Sequence, residues 1–113
     1  MDETAVDFPD TTFVMAHLGN PWTIDAAEVV YKNDNVFVDL SGFILGSKFP
    51  PSVGLKVEAA YRYVSNPDKF LFGTDWPLAP MKEYIDYMKR IIPKSDHNKF
   101  FYQNAKRIYK IHD

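Results

Sequence analysis

Phe70-Leu71-Phe72-Gly73-Thr74-Asp75-Trp76-Pro77 is a short apolar run broken by a glycine, then a lone carboxylate, then a proline. Apolar residues without polar alternation suit a strand buried in a parallel sheet, and the proline forbids further pairing. Such a strand delivers one acid, Asp75, to its C-terminal edge. Gly73 would let another backbone or a ligand approach closely.

Two earlier stretches have the same character. Thr12-Phe13-Val14-Met15-Ala16 is apolar and non-alternating, which predicts a strand covered on both faces, and His17-Leu18-Gly19-Asn20-Pro21 ends it in a loop. Val36-Phe37-Val38-Asp39-Leu40 predicts another strand, stopped by Ser41-Gly42. Between them, Thr23 as N-cap and Asp25 in the first turn predict a helix ending near Asn33. Phe43 to Gly54, with Gly46, Pro50 and Pro51, reads as the longest loop. Val57, Ala60, Tyr61 and Val64 then fall at the spacing of one helical face, predicting a helix from Leu55 to Ser65.

Beyond the opening stretch, Met81, Tyr84, Ile85, Met88, Ile91 and Ile92 mark an amphipathic helix that Pro93 stops. Ser95 is expected to cap a closing helix carrying Phe101, Ala105 and Ile108. The first eleven residues read as an irregular lead-in with the tail of a helix. Strand and helix thus alternate three times before one last helix. That order predicts an α/β fold of three parallel βα units with right-handed crossovers, with residues 1–113 as a single domain.

The totals narrow the function classes. The chain has 113 residues, 46% of them hydrophobic and 16% aromatic, enough for a substantial core. Its net charge is -2 with charges scattered, so nothing points to nucleic acid or an anionic membrane. Cysteine is absent, which removes disulfides, thiolate metal sites and cysteine nucleophiles. No run approaches a membrane span, and the acidic Met1-Asp2-Glu3-Thr4 is unlike a signal peptide, so a soluble, cytoplasmic protein is expected.

In parallel sheets functional groups gather at the C-terminal strand ends, where His17 and Asp75 sit, with Ser41 in the matching place on the second strand. Asp75 could be a metal ligand or proton acceptor, or a helix N-cap or turn acid before Pro77. His17 could shuttle protons or polarise a carbonyl, or be a hydrogen-bonded histidine at a strand edge. Two residues fall short of a metal site, which normally needs three protein ligands. His97 and His112 read as solvated surface groups and Asp39 as a hydrogen-bonded structural acid. Trp22 and Trp76 flank the two candidates, either lining a pocket or packing in the core. No phosphate loop, dinucleotide fingerprint or nucleophile elbow occurs.

Phe8 to Trp22, containing Ala16-His17-Leu18-Gly19-Asn20-Pro21-Trp22, resembles the sixth-strand segment of the amidohydrolase-2 family, metal-dependent hydrolases and decarboxylases on a (β/α)8 barrel. Asn35 to Gly42 resembles its seventh strand, Phe70 to Pro77 its eighth, and Asn104-Ala105-Lys106-Arg107 its closing helix. The resemblance implies the last three units of a TIM barrel. It also implies that Asp75 binds a divalent metal, most commonly zinc, and handles the proton of metal-bound water, while His17 assists chemistry on the substrate. That substrate would be a small carboxylate, lactone or amide.

The family's first-strand His-x-His pair and fifth-strand histidine have no counterpart in this chain, and a full barrel needs about 250 residues. The resemblance therefore implies the C-terminal portion of such an enzyme, incomplete on its own. Open sheet edges favour association, which predicts a homo-oligomer or a complementing N-terminal half. A non-catalytic half-barrel that self-associates is the alternative. A flavodoxin-like binding domain is a third reading, weakened by the missing phosphate loop.

Overall fold

The computed structural model describes residues 1–44 and 48–112. Its elements run α1 (Asp2–Asp7), β1 (Phe13–Met15), α2 (Thr23–Lys32), β2 (Val36–Asp39), α3 (Pro51–Val64), β3 (Phe70–Leu71), α4 (Met81–Ile91) and α5 (Asn104–Ile108). The three strands form one parallel sheet in the order β1-β2-β3. Val36 pairs with Phe13, and Val38 lies between Met15 and Phe70. Three parallel βα units and a closing helix are thus what the alternating pattern predicts.

The sheet has a packed face and an open one. Along β2, Val36 and Val38 are fully buried, while Phe37 and Asp39 are half-buried on the opposite face. Val36, Val38 and Phe70 pack with Ala27 and Val30 of α2, Val57, Ala60 and Val64 of α3, and Tyr84 and Met88 of α4. Phe70 is fully buried, with its ring 4.7 Å from that of Tyr61. Truncating such a side chain typically costs about 3–5 kcal/mol. The core therefore sits between the sheet and the helices.

Several local expectations are corrected. Phe13, Val14 and Met15 are each half-buried rather than covered on both faces, with β1 at one edge of the sheet. The lead-in holds a helix of its own, α1, anchored by buried Ala5 and by the Lys32–Asp2 ion pair at 2.7 Å. Thr23 is the first residue of α2 and is buried; Trp22 takes the cap position. The third helix begins at Pro51, four residues before Leu55. A first helical position needs no N–H and suits the fixed φ of proline, so the Pro-Pro pair opens the helix instead of prolonging the loop. Leu45, Gly46 and Ser47 of that predicted loop lie outside the described residues.

Ser95 does not cap the closing helix. It lies inside a 3₁₀ turn, Lys94–Asp96, and the chain then passes through a π turn, Lys99–Gln103, into α5. His97 is half-buried rather than freely solvated: its Nε2 donates to the Ile92 carbonyl at 2.8 Å, and its ring meets Phe101 edge-on at 5.6 Å. His112 is exposed. Among the described residues no helix is long and apolar enough to cross a membrane.

Candidate active site

His17 sits just past β1, where the chain makes a tight left-handed turn, Ala16–Gly19. His17 (φ 57°, ψ 26°), Leu18 (φ 47°, ψ 34°) and Gly19 (φ 62°) are consecutive left-handed residues. This conformation costs a non-glycine residue roughly 1–2 kcal/mol. Two observations account for its persistence. Leu18 is completely buried, which offsets the strain, and the His17 backbone N–H donates to Asp39 Oδ1 at 3.1 Å.

At the end of β2, Asp39 is the hub of the mouth. Its Oδ1 also accepts the Ser41 N–H at 3.0 Å and the Ser41 hydroxyl. An aspartate that takes the N–H two residues ahead closes a local turn, which is why the strand stops at Ser41-Gly42. Ser41 in turn meets the His17 ring: Nδ1 lies 3.0 Å from its carbonyl oxygen and 2.9 Å from its Oγ. Gly42 has φ +71°, and a Cβ there would come within 2.3 Å of His17 Nδ1. The imidazole rests directly on this glycine's backbone. From the third strand, Gly73 leans on the same residue, since a Cβ there would meet the Ser41 Cβ at 3.0 Å.

Asp75 stands two residues beyond Gly73, exposed, with φ 60°. His17 and Asp75, at the ends of the first and third strands, are thus both held in the left-handed region. Sparsely populated backbone of this kind concentrates at functional sites. Behind them, the Tyr84 hydroxyl from α4 donates to the Leu40 carbonyl and props the end of β2. Burial pushes the Tyr84 phenol well above the ordinary tyrosine range, and the nearby Asp39 and Asp75 carboxylates add to the shift. Trp22 and Trp76 are 69% and 70% exposed, so neither packs in the core; Trp76 directly follows Asp75, and Trp22 follows the left-handed turn that carries His17.

The structure brings His17 onto the β2 turn and places Asp75 at the end of the neighbouring strand. The sequence reading missed the tie from Asp39 and Ser41 to His17, and the ring seat at Gly42. The Asp-x-Ser-Gly ending of the strand carries that signal: Asp39 is the hydrogen-bonded acid the sequence suggests, and Ser41 holds the strand-end place matching His17 and Asp75. Among the described residues no three His, Cys, Asp or Glu side chains are grouped to hold a metal ion. By themselves, then, the donors among the described residues do not make up a complete metal site.

A family model described as Amidohydrolase matches residues 1–111. No curated protein matches the chain. Among solved structures, an amidohydrolase from Burkholderia multivorans with bound zinc superposes with a TM-score of 0.81 at 18% identity, over 98% of this chain and 48% of that one. An uncharacterised TIM-barrel protein from Bordetella bronchiseptica gives 0.76 at 27% identity, over 96% and 37%. A dihydroxybenzoic acid decarboxylase from a Polaromonas species, with bound manganese and the inhibitor 2-nitroresorcinol, gives 0.65 at 18% identity, over 94% and 36%. The chain spans less than half the length of each of these structures. Its three βα units have the fold of part of a TIM barrel.

Proposed function

The chain belongs to the amidohydrolase family, and from that premise we propose that it forms the C-terminal portion of a metal-dependent hydrolase or decarboxylase. The reaction is hydrolysis or decarboxylation of a small carboxylate, lactone or amide. The observation that carries this reading is the placement of His17 and Asp75 past the C-terminal ends of β1 and β3, each on left-handed backbone, with His17 tied to the Asp39–Ser41 turn. Groups at that face of a parallel barrel are the ones that meet substrate.

In this reading Asp75 contributes one carboxylate to a divalent metal, most commonly zinc, and the histidines that complete the set come from outside this chain. The metal supplies charge stabilisation at a carbonyl or carboxylate. His17 moves a proton to or from the substrate at the strand mouth. Trp22 and Trp76 border the entrance. The test is metal content, by elemental analysis, of the assembly purified from its native cells. Wild type carries divalent metal and Asp75→Asn loses it; a metal-free assembly whose properties Asp75→Asn leaves unchanged overturns the proposal.

A second reading is favoured by the incomplete donor set and the open sheet: a non-catalytic half-barrel that associates with copies of itself. The outer edge of β1 and the half-buried face carrying Val14, Phe37 and Asp39 would supply the contact. Light scattering at micromolar concentration separates the two. A monodisperse monomer rules out self-association, and activity regained on mixing with an N-terminal half-barrel rules out an inert module.

A further inference from the structure

In a neutral imidazole one ring nitrogen carries the proton, and the partners of the ring decide which. His17 Nδ1 is 3.0 Å from the Ser41 carbonyl oxygen, which can only accept. It is 2.9 Å from Ser41 Oγ, whose own proton is directed at Asp39 Oδ1. Asp39, an acceptor when ionised, is held in place by two backbone donors, the N–H groups of His17 and Ser41. If Nδ1 were unprotonated, its lone pair would face the carbonyl. The Ser41 hydroxyl would then have to leave Asp39 in order to donate to the ring. With the proton on Nδ1, every contact in the cluster runs from donor to acceptor.

We propose that Asp39 and Ser41 are positioning residues that hold neutral His17 as the Nδ1–H tautomer and thereby assign proton transfer to Nε2. Nε2 has no hydrogen-bond partner among the described residues, so its lone pair is available. The ring cannot slide away from this arrangement, because Gly42 lies flush beneath it and the turn is locked by buried Leu18. What Nε2 does rests on the proposed function; which nitrogen carries the proton does not.

The tautomer is read directly by ¹⁵N–¹H multiple-bond NMR on the full chain labelled at histidine, with His17→Gln identifying the resonances against His97 and His112. At a pH where His17 is neutral, Nδ1 gives a protonated, pyrrole-type ¹⁵N shift and Nε2 an unprotonated, pyridine-type one. The opposite pattern overturns the inference. Asp39→Ala frees the Ser41 hydroxyl, and the Nε2–H form becomes populated. Asp39→Asn, whose amide oxygen can accept the same three hydrogens, keeps Nδ1–H. An unchanged single tautomer in Asp39→Ala removes Asp39 from the role. Ser41→Ala removes the hydroxyl donor but leaves the carbonyl acceptor, so Nδ1–H persists there, and an Nε2–H form in that variant overturns the inference even if Asp39→Ala fails to fold. The spectra need neither substrate nor metal, so a metal-free assembly that Asp75→Asn leaves unchanged would sink the proposed function while the Nδ1–H tautomer left this inference standing.

Discussion

The two ends of the sheet are built on different terms. At the foot, where the strands begin, polar side chains are satisfied within the chain. Lys69, nearly buried, donates to the carbonyls of Asn33, Asp34 and Val36 at 2.7–3.2 Å, and its ammonium lies 4.6 Å from the centre of the Phe37 ring. Burial holds that ammonium below the ordinary lysine range. The Asn35 amide gathers the carbonyls of Ala5, Phe8 and Thr11, and the fully buried Asn104 ties α5 to Pro67 and Phe70. At the mouth, three non-glycine residues occupy the left-handed region and two tryptophans stand in solvent. His17 Nε2 and the Asp75 carboxylate have no partner there among the described residues. The foot spends its polar groups on stability, whereas the mouth holds strained groups unspent, a division suited to chemistry at one face of a barrel.

That contrast can be broken by substitution at either end. The largest effect expected is at the mouth: on the proposed function, His17→Gln lowers turnover of the completed assembly about 10²–10⁴-fold, while denaturant unfolding shifts little. A stability loss matching the foot variants would erase the distinction. Next comes the foot, where Lys69→Met strands three carbonyls and costs about 2–4 kcal/mol in a denaturant titration, with metal content per folded assembly unchanged. Asp75→Gly relieves left-handed backbone at an exposed position. Its stability is expected to hold or rise by up to about 1 kcal/mol, while on the proposed function the assembly loses metal.

The smallest effect expected is at the turn leading into the closing helix. Lys99 pairs with Asp68 at 2.9 Å and holds its carboxyl below the usual carboxylate range. Both side chains are close to half exposed, so Lys99→Ala costs only about 0.2–1 kcal/mol near neutral pH. Because the folded pKa of Asp68 is the depressed one, this stability is present above its unfolded pKa. It is lost as pH falls through the folded value, so wild type and variant converge in acid.

Much of the frame was legible beforehand. Three apolar, non-alternating runs and the 3.6-residue spacing of Val57, Ala60 and Val64 were enough for parallel βα units, because strand and helix periods differ and each marks which face is buried. Boundaries were less legible. Pro51 reads as a loop residue until its place at the start of α3 is seen, and Thr23 and Ser95 have capping chemistry that the backbone does not use. Trp22 and Trp76 could not be placed from composition, since a large aromatic suits a core and a rim equally.

The sequence by itself determined the fold class, the two residues at the strand ends and, through four motifs in order, the resemblance to the amidohydrolases. These depend on residue type and spacing along the chain, which is local information. Only the tertiary structure decided that Asp39, 22 residues from His17, anchors its backbone and that the Ser41 carbonyl and hydroxyl converge on one ring nitrogen. It also showed that Gly42 is needed because an imidazole lies against it. Hydrogen bonds between strand ends depend on distances across the sheet of a few tenths of an ångström, and no pattern along a single chain encodes those distances.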